Sequence, residues 1–99
     1  MVMIREVLNC RAGQVGALVS KFKALGEVMQ AMGHDPFRLY TDVAGEDFWT
    51  LVLEREYDSV DAAMALEEEV MSNPDAQAAM QGYHEHIIRG RREIYRVEA

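Results

Sequence analysis

The sequence predicts an α+β fold: a four-stranded antiparallel sheet with helices packed on one face. Three observations carry this. Residues 2–10 and 37–43 alternate with a period of two, 48–57 is a third apolar and aromatic run and 92–98 reads as a last strand, and apolar residues between them recur at helical spacing. No internal repeat, low-complexity segment or linker breaks the 99 residues, and 49% of them are hydrophobic, so residues 1–99 form a single domain with one core.

Residues 2–10, VMIREVLNC, place Val2, Ile4 and Leu8 on one side of a strand and Met3, Arg5, Val7 and Asn9 on the other. The segment RAG breaks the alternation. Val15, Leu18, Val19, Phe22, Leu25, Val28, Met29 and Met32 then recur at helical spacing up to Gly33. HDP turns the chain into a second strand, FRLYTDV at 37–43, where Phe37, Leu39 and Val43 oppose Arg38, Tyr40 and Asp42. AGED connects it to FWTLVLEREY at 48–57, so residues 37–57 read as a β-hairpin. Asp58 or Ser59 caps a helix with the apolar arc Val60, Ala63, Met64, Leu66, Val70 and Met71. Asn73 and Pro74 open a further helix over 74–89, with Ala76, Met80, Tyr83 and Ile87 in one stripe and Gly90 as its terminator. REIYRVE, 92–98, is the last strand.

The order β-α-β-β-α-(α)-β is the split βαβ, or ferredoxin-like, arrangement. Its helices cover one sheet face and leave the other open. Met3, Val7 and either Phe48 with Val52, or Trp49 with Leu51 and Leu53, would face water on that open side. Such a surface predicts association of two copies into a homodimer.

A net charge of -7 argues against nucleic acid or an anionic membrane as partner, because both select basic surfaces. Arg89, Arg91, Arg92 and Arg96 form the one local exception and read as partners for the many carboxylates. Cys10 is the only cysteine, which excludes a disulfide within the chain, and no signal segment or membrane span is evident. A cytoplasmic location is the resulting expectation.

The stretch GYHEH poses the question of a metal or catalytic pair. On a helix, His84 and His86 lie about 200° apart and cannot hold one ion together, so no metal site is expected. His84, at the edge of the apolar stripe, retains the capacity to exchange a proton near neutral pH. Glu67 is less ordinary. It falls inside the arc of Val60, Ala63, Met64, Val70 and Met71, whereas Glu68 and Glu69 fall outside it. Either the helix end tilts its carboxylate to water, or the carboxylate lines a cavity. On the open face Asn9, Arg38 and Tyr40 add polar groups beside apolar ones, the texture of a small-molecule cavity or a wet interface. No phosphate loop, nucleotide fingerprint, zinc-ligand array or nucleophile elbow is present, and no cofactor is expected.

The element order, the opening of the first helix at Gly13, the LVLEREYDS passage from strand to helix, and NPDAQAAMQGYHEH together resemble the dimeric α/β-barrel superfamily, closest to its antibiotic-biosynthesis-monooxygenase-like and NIPSNAP-like families. The resemblance spans nearly the whole chain. It implies two open sheets pairing into a barrel, and it sets Tyr57, Ser59, Met64 and Glu67 where the family has its strand-closing aromatic, its Ser and the inward residues of the next helix. Activities implied include cofactor-independent oxygenation of aromatic substrates and, in one branch, haem degradation by an Asn, a Trp and a His. Asn9 and His84 match two of those three places, but Glu67 stands where the Trp belongs. The expected function is therefore a homodimer that binds a small aromatic or apolar metabolite, with Glu67 and His84 as candidate catalytic groups and Asn9, Arg38, Tyr40 and Trp49 as candidate ligand contacts. The alternatives are a non-catalytic dimeric module and, third, a haem protein.

Overall fold

In the computed structural model, which describes residues 1–99, the chain forms β1 (Val2–Cys10), α1 (Val15–Ala31), β2 (Arg38–Thr41), β3 (Thr50–Tyr57), α2 (Val60–Met71), α3 (Pro74–Ala79), a 3-10 turn (Tyr83–His86) and β4 (Ile87–Arg96). The strands make one antiparallel sheet in the order β2-β3-β1-β4. This is the ferredoxin-like order, with the first strand central and both hairpin strands on one side of it. No helix is long and apolar enough to cross a membrane.

Local chemistry explains most boundaries. α1 ends where Gly33 takes a φ of +86°, which lets the His34 N–H reach back to the Met29 carbonyl at 2.9 Å. Ser59 caps α2 by accepting from the Ala62 N–H at 3.0 Å, and Asn73 caps α3 by accepting from the Asp75 N–H at 2.8 Å ahead of Pro74. The core lies between the helices and one sheet face. Leu18, Phe22, Leu25 and Met29 of α1 pack on Leu8, Leu51 and Leu53, and Val70, Ala76 and Met80 close the far side. Cys10 is buried among them, and that burial pushes its thiol above its ordinary range, as expected of an inert packing residue.

Two elements differ from the sequence reading. The hairpin strands are shorter than 37–43 and 48–57: β2 has four residues, β3 starts at Thr50, and 42–49 is a loop. Asp42 closes this loop by accepting from the Thr50 N–H at 2.7 Å, and Trp49, at a φ of +60°, cannot continue a strand. The helix expected over 74–89 stops at Ala79. Gly82, at a φ of +75°, redirects the chain, the 3-10 turn follows, and β4 begins at Ile87, five residues before the expected strand.

Gly90 is therefore not a helix terminator. It sits inside β4 opposite Leu8, where an added Cβ would come within 2.8 Å of the Leu8 Cδ2. A larger residue there would require the Leu8 side chain to shift.

Candidate functional site

The period-two alternation of β1 continues through Glu6, which puts a carboxylate between Ile4 and Leu8 on the helix-covered face. Arg92 lies opposite it on β4. Its Nε and Nη2 both donate to Glu6 Oε1, at 3.1 and 2.7 Å, and its Nη2 lies 3.8 Å from Glu67 Oε2 on α2. That hydrogen bond to Glu6 is the leading cause of the raised Arg92 pKa. Tyr57, at the end of β3, completes the group. Burial pushes its phenol above the ordinary tyrosine value, Arg55 opposes this, and the Glu6 and Glu67 carboxylates reinforce it.

These polar residues share the lining of a cavity of about 220 Å³ between the sheet, α1, α2 and Met80 just beyond α3. Fourteen of its 17 lining residues are hydrophobic, among them Ile4, Phe22, Met29, Leu53, Ala63, Val70 and Met80. α2 covers it with Ala63, Leu66 and Val70. Glu67 belongs to its rim: the side chain is 56% exposed, so the carboxylate borders the cavity while remaining in contact with water. The two readings of Glu67 left open by the sequence thus meet in one placement.

The open face of the sheet carries a second, shallower depression of about 590 Å³, with only four hydrophobic residues among the 15 that line it. Arg5 is at its centre, donating to Glu54 at 2.7 Å and to Glu93 at 3.4 Å. Glu93 also accepts from Arg91 at 2.7 Å and from the Tyr95 hydroxyl at 2.9 Å. The Arg91 hydrogen bond leads in holding the Glu93 carboxyl below its ordinary range. Asn9 is buried beside them and donates to Thr50 Oγ1 at 3.3 Å. In this network Arg5 and Arg91 are matched by Glu54 and Glu93.

The sequence-derived candidates are thus divided by the sheet. Glu67 lies at the rim of the apolar cavity, whereas Asn9 and Tyr40 line the open-face depression. Arg38 is opposite Glu54 on β2 but outside the residues that line either space. Trp49, placed in the loop and 45% exposed, also lines neither. His84 is exposed, its ring 3.8 Å from that of Tyr83, and does not border the cavity with Glu67. His86 turns elsewhere, its Nδ1 2.9 Å from Gln14 Oε1. The divergence expected of the two histidines on an α-helix persists on the 3-10 turn.

Two residues of the polar group, Glu6 and Arg92, were not among the sequence candidates. A strict reading of the alternation in β1 would have found Glu6. Arg92 needed the register of β4 against β1, which depends on Gly90 being a strand residue.

No protein-family model and no curated protein matches this chain. Solved structures do. A NIPSNAP domain protein of Burkholderia xenovorans superposes with a TM-score of 0.79 at 17% identity, over 100% of this chain and 96% of that one. A NIPSNAP family protein of Agrobacterium tumefaciens gives 0.82 at 13% identity, over 98% and 92%. An antibiotic biosynthesis monooxygenase-like protein of Nitrosomonas europaea gives 0.72 at 13% identity, over 98% of each chain. The chain therefore carries, over its full length, the α+β fold shared by NIPSNAP domain proteins and antibiotic biosynthesis monooxygenase-like proteins.

Proposed function

We propose that this protein is a homodimer whose helix-covered cavity binds a small, single-ring or similarly compact apolar molecule. The carrying observation is the cavity itself: a largely apolar space of about 220 Å³ whose charged lining residues, Glu6, Glu67 and Arg92, are gathered in one group. Such a layout buries most of a ligand and orients it by a few polar contacts. Size limits the choice, since a cavity of about 150 Å³ holds benzene. A ring with a short substituent fits, and a fused polycyclic substrate or a porphyrin does not. The haem alternative also lacks its axial group, because His84 does not line the cavity.

The dimer is inferred from the open sheet face. Tyr40, Val52 and Met3 leave apolar area there that a second copy would cover. In this reading Glu67, at the rim of the cavity, is the carboxylate available to act as a base beside the bound ring. The non-catalytic module is the second reading, favoured by the hold of Arg92 on Glu6 and by the place of His84 outside the cavity lining.

Binding is tested with 2-phenylethanol, a neutral ring of suitable size, by titration calorimetry. Saturable one-to-one binding per chain is expected. Ala63→Leu, which adds volume inside the cavity at a residue only 4% exposed, should abolish that binding. It should also stabilise the free protein by up to about 1 kcal/mol, because the added methyl groups enter empty space. Loss of stability, with binding retained, would place the ligand elsewhere.

A further inference from the structure

Taking the cavity as the ligand site, we infer that its occupant is a hydrophobic cation, an aryl- or alkyl-ammonium, whose charged head rests at the Glu6, Glu67, Arg92 and Tyr57 group. The lining supplies two carboxylates and one guanidinium, so this group has an excess negative charge before any ligand enters. Arg92 is already committed: two of its N–H groups donate to one oxygen of Glu6, and the Glu67 contact is longer, at 3.8 Å. A carboxylate ligand would have to displace Glu6 from Arg92 and then sit beside two like charges. An ammonium needs no displacement. It meets the Glu67 carboxylate, the second oxygen of Glu6 and the Tyr57 hydroxyl, all acceptors.

Arg55, the other nearby cation, acts on the Tyr57 phenol and opposes the two carboxylates there, but it stands outside the lining, where a ligand meets Glu6, Glu67 and Arg92 directly. Its guanidinium lies 4.5 Å from the Tyr57 ring centre and donates to the main-chain carbonyls of Asp35 and Glu56, and it is not a lining residue. Burial cost also favours the assignment. Glu67 is 56% exposed and Arg92 39%, so the head of the ligand stays partly hydrated while its apolar body enters among Ile4, Phe22 and Met29. The overall charge of -7 adds a long-range attraction for cations.

Three probes of nearly equal shape separate this from the cavity reading it rests on: 2-phenylethylammonium, 2-phenylethanol and phenylacetate, titrated at neutral pH and low ionic strength. The ammonium should bind at least about threefold more tightly than the alcohol, as for a partly exposed ion pair, and phenylacetate weakest of the three. Glu67→Gln should bring the ammonium-to-alcohol ratio towards one. Glu68→Gln, one residue along and outside the lining, should leave that ratio as it is. Added salt should lower the ratio as well. Alcohol binding equal to or tighter than ammonium binding, or a preference for phenylacetate, overturns the cation and leaves the cavity standing. Failure of all three probes to bind removes both.

Discussion

Glu6 and Gly90 show how single residues on adjacent strands create the site. Glu6 would be an unexplained carboxylate on a core face without Arg92, and Arg92 reaches it only because β4 pairs with β1 through Gly90. Gly90→Ala should destabilise the protein by about 1 kcal/mol, since the gain from restricting the unfolded chain is smaller than the cost of moving Leu8 in a packed core. Urea denaturation measures it, and a stabilised variant would mean that Leu8 repacks freely. Glu93 offers a pH test. Its folded carboxyl titrates below the ordinary value, chiefly through Arg91, so its contribution to stability is present above about 4.5 and is lost as pH falls through the lower folded value. Glu93→Gln should therefore flatten the fall in stability below pH 4.5. An unchanged acid limb, measured by urea denaturation across that range, would show that the ion network of the open face adds nothing to the fold.

At the scale of elements, legibility followed the range of the determining interactions. The nine residues of β1, the Ser59 cap and the Asn73–Pro74 start of α3 are local signals, and all stand in the structure where the sequence puts them. Over 80–90 the helix expected from sequence departs from the structure because Ile87 continues a helical stripe and Gly90 suits a helix terminus. Neither local rule registers that Gly82 turns the chain, or that the central strand has an edge awaiting a partner about 80 residues away in sequence. The 42–49 loop failed for a related reason: Phe48 and Trp49 have strong strand preferences, yet the Asp42 side chain closes the turn before them. For the site, the helical position of Glu67 was legible, and its rim placement required α2 to be set against the sheet. α2 itself makes few side-chain polar ties to the body: Glu67 with Arg92, Glu69 with His34, and its Met71 carbonyl accepting from Gln77 of α3.

For the whole molecule, the two sheet faces have different work. One carries the cavity and the other, in the proposed dimer, meets its copy. Tyr40 is the better residue with which to test the latter, since it is 45% exposed in the single chain, whereas Val7 is already buried within it. Tyr40→Asp should leave the fold of each chain intact and shift the assembly towards monomer at micromolar concentration, by burying an unpaired charge at the contact. Light scattering should give twice the 11.2 kDa chain mass for the parent and fall towards a single mass for the variant. A parent that is monomeric throughout would remove the dimer.

The central claim, that a small apolar molecule binds behind α2, is tested most directly by mapping amide and methyl NMR shifts during titration with 2-phenylethanol. Binding in the cavity should move the signals of Leu53, Ala63, Val70 and Met80 together, with one common affinity, and leave Val7, Tyr40 and Val52 on the opposite face nearly still. Saturable shifts confined to Val7, Tyr40 and Val52, or none on the helix side at high ligand concentration, would contradict it.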